Sequence, residues 1–262
     1  MTLEVLISCM HQKDSSIAQN SHVQSDAVIV NQCDYDAVVT ERLYSHCIKF
    51  ICTTERGLSR SRNMAISSSE ADICLIADDD EIFADDYQQQ IIKAYEQHPE
   101  ADLITFKVEG SHSYAKAYAQ KESRIGYLKA MHISSVQITF RRNSIIQNNI
   151  FFDPEMGSGT GNGCGEETKF LFDCLHKGLK IIHEPVTIAK LNDNSNSQWF
   201  NGFTEQFFYN RGWATTRYLG RPFALLYAII YPIQRKKKVR KDISISRAIL
   251  SAFKGVFHSS RC

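Results

Sequence analysis

The stretch "ICLIADDDEIF" (73–83) constrains the fold of this chain more than any other. An apolar run, 73–77, leads directly into Asp78, Asp79 and Asp80. Neighbouring carboxylates raise one another's pKa, so three in a row are costly inside a protein. The apolar run therefore predicts a buried strand, and the aspartates are expected where that strand reaches the surface.

Apolar runs and helical patterns alternate along the first two thirds of the chain. Strands are predicted at 3–9, 27–30, 47–53, 72–77, 101–108 and 134–140, with a strand pair or a bent strand around Pro185. Helices are predicted at 58–69, 84–98 and 166–178. This alternation is typical of an α/β protein with a mostly parallel mixed sheet flanked by helices. Ligands of such sheets bind beyond the carboxyl ends of the strands, where Asp78 is expected.

Length and composition are those of an ordinary globular protein. With 262 residues, the chain is long enough for one large domain or one domain plus an extension. Its net charge of +1 gives no general bias toward nucleic acid. The N-terminus predicts a strand rather than a signal peptide. Eight cysteines without a C-x-x-C pair favour reduced thiols in a cytoplasmic protein over disulfides or zinc.

The aspartate triplet has two interpretations. Mg²⁺ and Mn²⁺ prefer oxygen ligands, and Mg²⁺ commonly combines one or two carboxylates with substrate phosphates. Asp78 and Asp80 are therefore candidate ligands for a divalent cation that also binds a diphosphate. The alternative is a solvated acidic turn before the next helix, whose first turn favours Asp and Glu. From these residues alone, the two interpretations carry equal weight.

A second motif, "ERGLSRSRNMAI" (55–66), precedes the triplet. Gly57 permits a tight turn, and Arg60 and Arg62 follow it. The planar guanidinium of arginine suits phosphate recognition. Two arginines on a helix are more often a solvated face, and their position just before an acidic strand end favours the phosphate interpretation.

Together, "GLSRSRNMAISSSEADICLIADDDEIF" (57–83) resembles the core of a family-2 glycosyltransferase. The resemblance implies a GT-A fold, a nucleotide-binding α/β sandwich around one sheet. It also implies inverting transfer of a sugar from a nucleoside-diphosphate sugar, with a UDP-sugar as the expected donor, to an acceptor hydroxyl. On this resemblance Asp78 and Asp80 hold Mg²⁺ or Mn²⁺, and Arg62, Asp78 and Asp79 contact the donor.

Two further stretches resemble the same family. "AVIVNQCD" (27–34) is similar to its second strand, which implies donor contacts for Asn31 and Gln32, with Ser8 approaching from the first strand. "GCGEETKFLFDCLHKGLKIIHEP" (163–185) is similar to its Gly-Glu-Asp segment. There Glu167 takes the position of the catalytic base and Glu166 is its neighbour. In isolation both would be helix-start acids, and which of the two is the base stays open.

The resemblance suggests a division of the chain. A catalytic domain is expected at 1–190, with a donor-binding part at 1–110 and an acceptor and base part at 111–190. A helical, aromatic and basic extension is expected at 191–262. In it, an apolar run followed by "RKKKVRK" (235–241) favours contact with an anionic membrane surface. The alternative is a helix packed on the catalytic domain with a solvated basic end.

The expected activity is metal-dependent, hexosyltransferase-type transfer of one sugar per event, because the Gln-x-x-Arg-Trp signature of processive synthases is absent. The acceptor would be a glycan or lipid-linked molecule of surface polysaccharide or glycolipid biosynthesis, with the protein cytoplasmic or peripheral on the inner face of the membrane. No nucleic-acid partner is expected. One alternative is a nucleotidyltransferase-like enzyme, although "SCMHQKDSS" (8–16) lacks a Gly-rich phosphate loop. The other is a non-catalytic glycan- or nucleotide-binding relative.

Overall fold

A computed structural model describes residues 1–110, 120–192 and 202–259. The strands are β1 (Leu3–Met10), β2 (Asp26–Gln32), β3 (Ala37–Leu43), β4 (His46–Thr53), β5 (Ile73–Asp78), β6 (Glu81–Phe83), β7 (Leu103–Glu109), β8 (Ser123–Arg124), β9 (Ile138–Arg141) and β10 (Ile181–Leu191). The helices are α1 (Ile17–Asn20), α2 (Leu58–Ser68), α3 (Tyr87–Gln97), α4 (Tyr127–Ala130), α5 (Arg142–Gln147), α6 (Glu166–His176), α7 (Glu205–Leu219), α8 (Arg221–Gln234), α9 (Lys236–Val239) and α10 (Ile245–His258).

The ten strands of the described residues form one sheet, in the order β3-β4-β2-β1-β5-β9-β7-β10-β6, with β8 paired to β10. Strands β4, β2, β1 and β5 run parallel to one another and form the half of the sheet that carries the predicted site. Antiparallel β9 separates β5 from β7. The predicted α/β fold with a mostly parallel mixed sheet flanked by helices is confirmed.

Both faces of the central strands are buried. Along β1, Val5 and Ile7 belong to one apolar cluster, and Leu6, which points to the opposite face, belongs to another. Helix α3 contributes to the first cluster, whereas α2, α6 and α7 contribute to the second. Burial on both faces explains why these strands are continuous apolar runs instead of alternating polar and apolar residues.

Two segments differ from the prediction. The stretch 134–140 begins with a 3₁₀ helix, Ser135–Gln137, because Ser134 and Gln137 form a reciprocal capping box. Strand β3 was not predicted, because most of its side chains are exposed and, within the described residues, it pairs with antiparallel β4 alone. Around Pro185 the structure has the bent strand and not the strand pair: β10 continues through Pro185, where its register with β7 shifts. No regular ladder there needs the N–H that proline lacks.

Helices α7 to α10 share a small apolar cluster of their own, in which the largest side chains are Phe203 and Phe208. Helix α7 also contributes Trp213, Ala214 and Tyr218 to the core below the sheet. The division at residue 190 stays a prediction, and residues 193–201 of the predicted extension lie outside the described residues. In the described part of the chain, no helix combines the length and apolar character needed to cross a membrane.

Candidate functional site

The predicted site residues of the first half of the chain come together at one edge of the sheet. Asp78 ends β5 and is in register with Ser8 of β1. Asn31 and Gln32 end the neighbouring parallel strand β2. Because these strands are parallel, their carboxyl ends meet at the same edge, which is where α/β sheets bind ligands.

Arg62 connects this edge to the segment that carries the predicted base. Its guanidinium donates to Asp78 Oδ1 at 2.8 Å, to Glu166 Oε1 at 3.1 Å and to Ser135 Oγ at 2.9 Å. The Arg62 side chain has no exposed surface. Burial disfavours its charge, but the carboxylates of Asp78 and Glu166 outweigh burial and raise the pKa of Arg62. The structure thus makes Arg62 a buried bridge; a direct donor contact for it stays a prediction.

Helix α2 also binds the glycine-rich loop, "FDPEMGSGTGNGCG" (152–165), that precedes Glu166. Ser59 Oγ donates to the Met156 carbonyl at 2.7 Å. The Asn63 amide donates to the Phe152 carbonyl at 2.7 Å and accepts from the Phe152 N–H at 2.8 Å. The loop contains no helix or strand, and these hydrogen bonds fix its path against α2. The "SRSRN" run therefore acts structurally on both the aspartate edge and the base segment.

Gly57 lets α2 begin at this edge. Its φ of 117° is a conformation that residues with a Cβ rarely adopt, and its N–H donates to Gln32 Oε1 at 2.7 Å. Asn31 accepts from the Gln12 N–H and donates to the Gln12 carbonyl, both at 2.9 Å. Ser8 accepts from Ser61 Oγ at 3.0 Å. In this structure Ser8, Asn31 and Gln32 are buried and hold neighbouring loops and helix α2, and their predicted donor contacts stay predictions.

The two glutamates differ in exposure. Helix α6 begins at Glu166, after Gly165 in the left-handed conformation at φ 86°. Both carboxylates lie in the first turn, where the helix dipole favours negative charge. Glu166 is buried against Arg62, whereas Glu167 is half-buried. Glu167 is therefore the more accessible of the two carboxylates, and the role of either as catalytic base stays a prediction.

The aspartate triplet spans the transition from buried to exposed. Asp78 is buried, Asp79 is exposed and Asp80 is half-buried. Burial, and then the charges of Asp80 and Asp78, raise the pKa of Asp79. Asp78 Oδ2 is buried and has no hydrogen-bond partner among the described residues. A buried carboxylate oxygen without a donor, beside two further carboxylates, fits a hard divalent cation.

Two neighbours of this site were missed in the sequence. Glu81 Oε1 accepts the Asp78 N–H at 2.8 Å, and burial, followed by the charge of Asp78, raises the pKa of Glu81 well above its usual range. Its position directly after the triplet was an available signal. Ser135, which binds Arg62, carries no local sequence signal because tertiary packing brings it there.

A cleft of about 490 Å³ lies beside the glycine-rich loop. It is lined by Arg56, Arg60, Pro154, Glu155, Gly159, Thr160, Asn162 and Trp213. Arg217 holds two acids of this loop, with Nε 2.5 Å from Asp153 Oδ2 and Nη1 2.7 Å from Glu155 Oε2. The volume is in the range of small-molecule pockets. None of the predicted donor or metal residues lines the cleft.

A separate cluster was not predicted. Ligand-type atoms of His98, Glu122 and Glu184 lie within 4.8 Å of one another. The closest pair is His98 Nε2 and Glu184 Oε1, at 2.7 Å. A hydrogen bond accounts for this closest contact, and the sequence spacing of the three residues gave no signal for the cluster.

Comparisons with known proteins agree with the fold and the motifs. The profile described as "Glycosyl transferase family 2" matches residues 14–159. An uncharacterized glycosyltransferase of Haemophilus influenzae is 30% identical over 90 residues, which are 34% of this chain and 31% of that protein. The matched segment thus spans about a third of this curated relative.

Crystal structures of S. aureus TarS 1–349 superpose on most of the chain. One of them matches with a TM-score of 0.60 at 14% identity and covers 97% of this chain and 70% of TarS 1–349. The complex with UDP-GlcNAc gives 0.61 at 13% identity, covering 95% and 70%. At this identity the likeness shows the fold alone, which is the predicted GT-A fold. Because the profile covers more than half of its length, this chain belongs to glycosyl transferase family 2.

Proposed function

We propose that this protein moves a single sugar from a nucleoside-diphosphate sugar to an acceptor hydroxyl, with inversion and with a divalent cation. The observation that carries the proposal is the shared contact of Asp78 and Glu166 with Arg62. It holds the aspartates proposed for the donor and the glutamate segment proposed for the acceptor against one buried guanidinium. A donor site and a base site fixed relative to each other are what a direct displacement requires.

The donor is proposed to be a UDP-sugar. Structures of TarS, whose fold this chain shares, are complexes with UDP-GlcNAc and with UDP. Asp78 and Asp80 are the proposed ligands of Mg²⁺ or Mn²⁺. When bound, the cation would neutralise charge on the diphosphate as it leaves. The proposed donor site is completed by four further residues at the same edge of the sheet: Ser8, Asn31, Gln32 and Asp79.

Glu167 is the proposed general base. Its carboxylate accepts the proton of the acceptor hydroxyl while that oxygen bonds to the anomeric carbon, on the face opposite the leaving group. The bond between the anomeric carbon and the diphosphate oxygen breaks in the same step, and nucleoside diphosphate departs. One displacement inverts the configuration. Glu166, paired with Arg62, positions the start of α6 so that Glu167 can act.

The proposal extends to the transferred group and the acceptor. The transferred group is proposed to be a hexose, and the acceptor a glycan or lipid-linked molecule of surface polysaccharide or glycolipid biosynthesis. The cleft beside the glycine-rich loop, with Trp213 and two arginines, is the proposed acceptor approach. Contact with a membrane surface through the basic C-terminal segment would bring a lipid-linked acceptor to it.

The test uses the purified full chain and a panel of nucleotide sugars. Release of nucleoside diphosphate is measured with Mg²⁺, with Mn²⁺ and with excess chelator. We expect release from at least one UDP-sugar that stops on chelation, and NMR of the product should show inverted anomeric configuration. Donor binding without transfer to any acceptor would indicate a non-catalytic relative, and a retained anomeric configuration would exclude the displacement proposed for Glu167.

A further inference from the structure

Helix α8 places its small residues inside and its large apolar residues outside. Ala224, Ala228 and Pro232, at intervals of four residues, are buried against the neighbouring helices. The large apolar side chains are exposed: Phe223 by 66%, Leu226 by 53%, Ile229 by 40%, Ile230 by 39% and Ile233 by 48%. This is the reverse of a helix that packs its apolar face on a globular core.

These five exposed residues, which we call the α8 stripe, lie on one side of the helix. They follow Phe223 at intervals of three, six, seven and ten residues. At about 100° per residue, these intervals place all five within an arc of roughly 120°. The stripe runs the length of the 14-residue helix. A contiguous exposed apolar surface of this kind marks an interaction site.

Positive charge is concentrated at the C-terminal end of the stripe. Six exposed cations, which we call the basic segment, follow within seven residues: Arg235, Lys236, Lys237, Lys238, Arg240 and Lys241. Across the described ranges, no ion pair involves any of them. The Arg235 guanidinium lies 5.0 Å from the ring centroid of Tyr231 in α8, which keeps the first of these charges against the helix.

We propose that the α8 stripe and the basic segment together dock this protein on an anionic lipid bilayer. Helix α8 lies in the plane of the interface with its stripe among the upper acyl chains, and the basic segment binds headgroup phosphates. An apolar face combined with clustered cations is the pattern of interfacial helices. The 14-residue helix is too short to span the bilayer, so it lies on it.

An anionic bilayer accounts for both halves of this surface. A nucleic acid would neutralise the basic segment but leave the five apolar side chains in water. A second copy of the chain would cover the stripe, but it would bring two unpaired basic segments close together. In an anionic bilayer, the stripe contacts hydrocarbon below the headgroups, and the basic segment contacts negative charge at the headgroups.

The docking does not depend on sugar transfer. Its link to a lipid-linked acceptor rests on the proposed function, whereas lipid binding can be measured without donor or acceptor. A chain that binds vesicles but transfers no sugar would refute the proposed function and leave the docking intact. A chain that transfers sugar to soluble acceptors but does not bind vesicles would refute the docking and leave the proposed function intact.

The test is co-sedimentation of the full chain with phosphatidylcholine vesicles, with and without phosphatidylglycerol. We expect binding to the anionic vesicles that weakens with added salt. Replacing Lys236, Lys237 and Lys238 with Gln should weaken binding about hundredfold, since each cation near the surface contributes about fivefold. The Leu226→Gln, Ile230→Gln pair should weaken it about tenfold or more.

The matched control is Val38→Gln with Val39→Gln, on edge strand β3, which removes two comparably exposed apolar side chains (66% and 51%). It should bind like the unaltered chain. Circular dichroism should show all variants folded. Equal binding to neutral vesicles, or loss of binding in the control pair, would overturn the proposal. So would stripe variants that bind vesicles normally but change the mass of the protein in solution, or a basic segment that prefers DNA to anionic vesicles.

Discussion

Arg62 Nη2 lies 2.8 Å from Asp78 Oδ1, with the arginine side chain fully buried. The same guanidinium binds Glu166, so one cation compensates two carboxylates that belong to distant parts of the chain. A buried charge is tolerated only where such partners satisfy it. Position 62 therefore links the stability of the site to its chemistry.

Replacing Arg62 with Ala should lower the free energy of unfolding by about 3–5 kcal/mol, because it leaves Asp78 and Glu166 buried without their counter-charge. Lysine keeps the charge but cannot reach three acceptors in a fork, so Arg62→Lys should fall between Ala and the unaltered chain. Urea denaturation measures both. Arg60→Ala, on the same helix but exposed, is the control and should change the value by less than about 0.5 kcal/mol. Equal stability of the two alanine variants would refute the bridge.

Glu167→Gln should lower the activity, whereas Glu166→Gln should lower the thermal stability. If Glu167 is the base, its loss should lower kcat about 10²- to 10⁴-fold while KM for the donor and the melting temperature stay the same. Glu166→Gln should lower the melting temperature, because Arg62 then loses one of its two anionic partners. Steady-state kinetics and thermal unfolding separate the two roles. A Glu167→Gln variant with unchanged kcat would show that another residue is the base.

Asp80→Asn should weaken the binding of Mn²⁺ in the presence of UDP by more than about tenfold, because a neutral amide is a poorer ligand than a carboxylate. Isothermal titration calorimetry measures this Mn²⁺ binding without any turnover of donor. Asp86→Asn is the matched control, since Asp86 is an exposed acid just before α3 and lies outside the triplet. If both variants bind Mn²⁺ equally, the triplet is a solvated turn and the cation site is wrong.

Two glycines allow helices α7 and α10 to approach each other closely where they cross. A Cβ on Gly255 would lie 2.0 Å from the Tyr209 carbonyl oxygen, and one on Gly212 would lie 2.0 Å from that of Ala252. Gly255→Ala must therefore push the helices apart, and it should cost about 1–3 kcal/mol or more. Differential scanning calorimetry measures the loss. Gly126→Ala, where a Cβ would meet nothing within 4 Å, should leave the melting temperature nearly unchanged. An equally small effect at both positions would show that the helices cross less closely.

Much of the fold could be predicted from local pattern. The central strands are buried on both faces, so they appear as apolar runs, and β1, β4 and β5 were predicted within one residue of their bounds. The edge strand β3 and the 3₁₀ turn at Ser135 were not, because pairing with β4 and a reciprocal cap decide them. Local sequence pattern also could not predict the order of the strands, because β9 lies between β5 and β7 through long-range pairing.

From residue order alone one can conclude that an apolar strand ends in three carboxylates at a sheet edge, with an arginine-bearing helix before it and a glutamate pair at a later helix start. How these groups contact one another depends on the packing of the folded chain. It buried Arg62 between Asp78 and Glu166, gave Glu167 the more exposed position and tied the glycine-rich loop to α2. The reason is physical: residue type fixes charge and local conformation, whereas burial and partnership depend on segments far apart in the chain that only packing brings into contact.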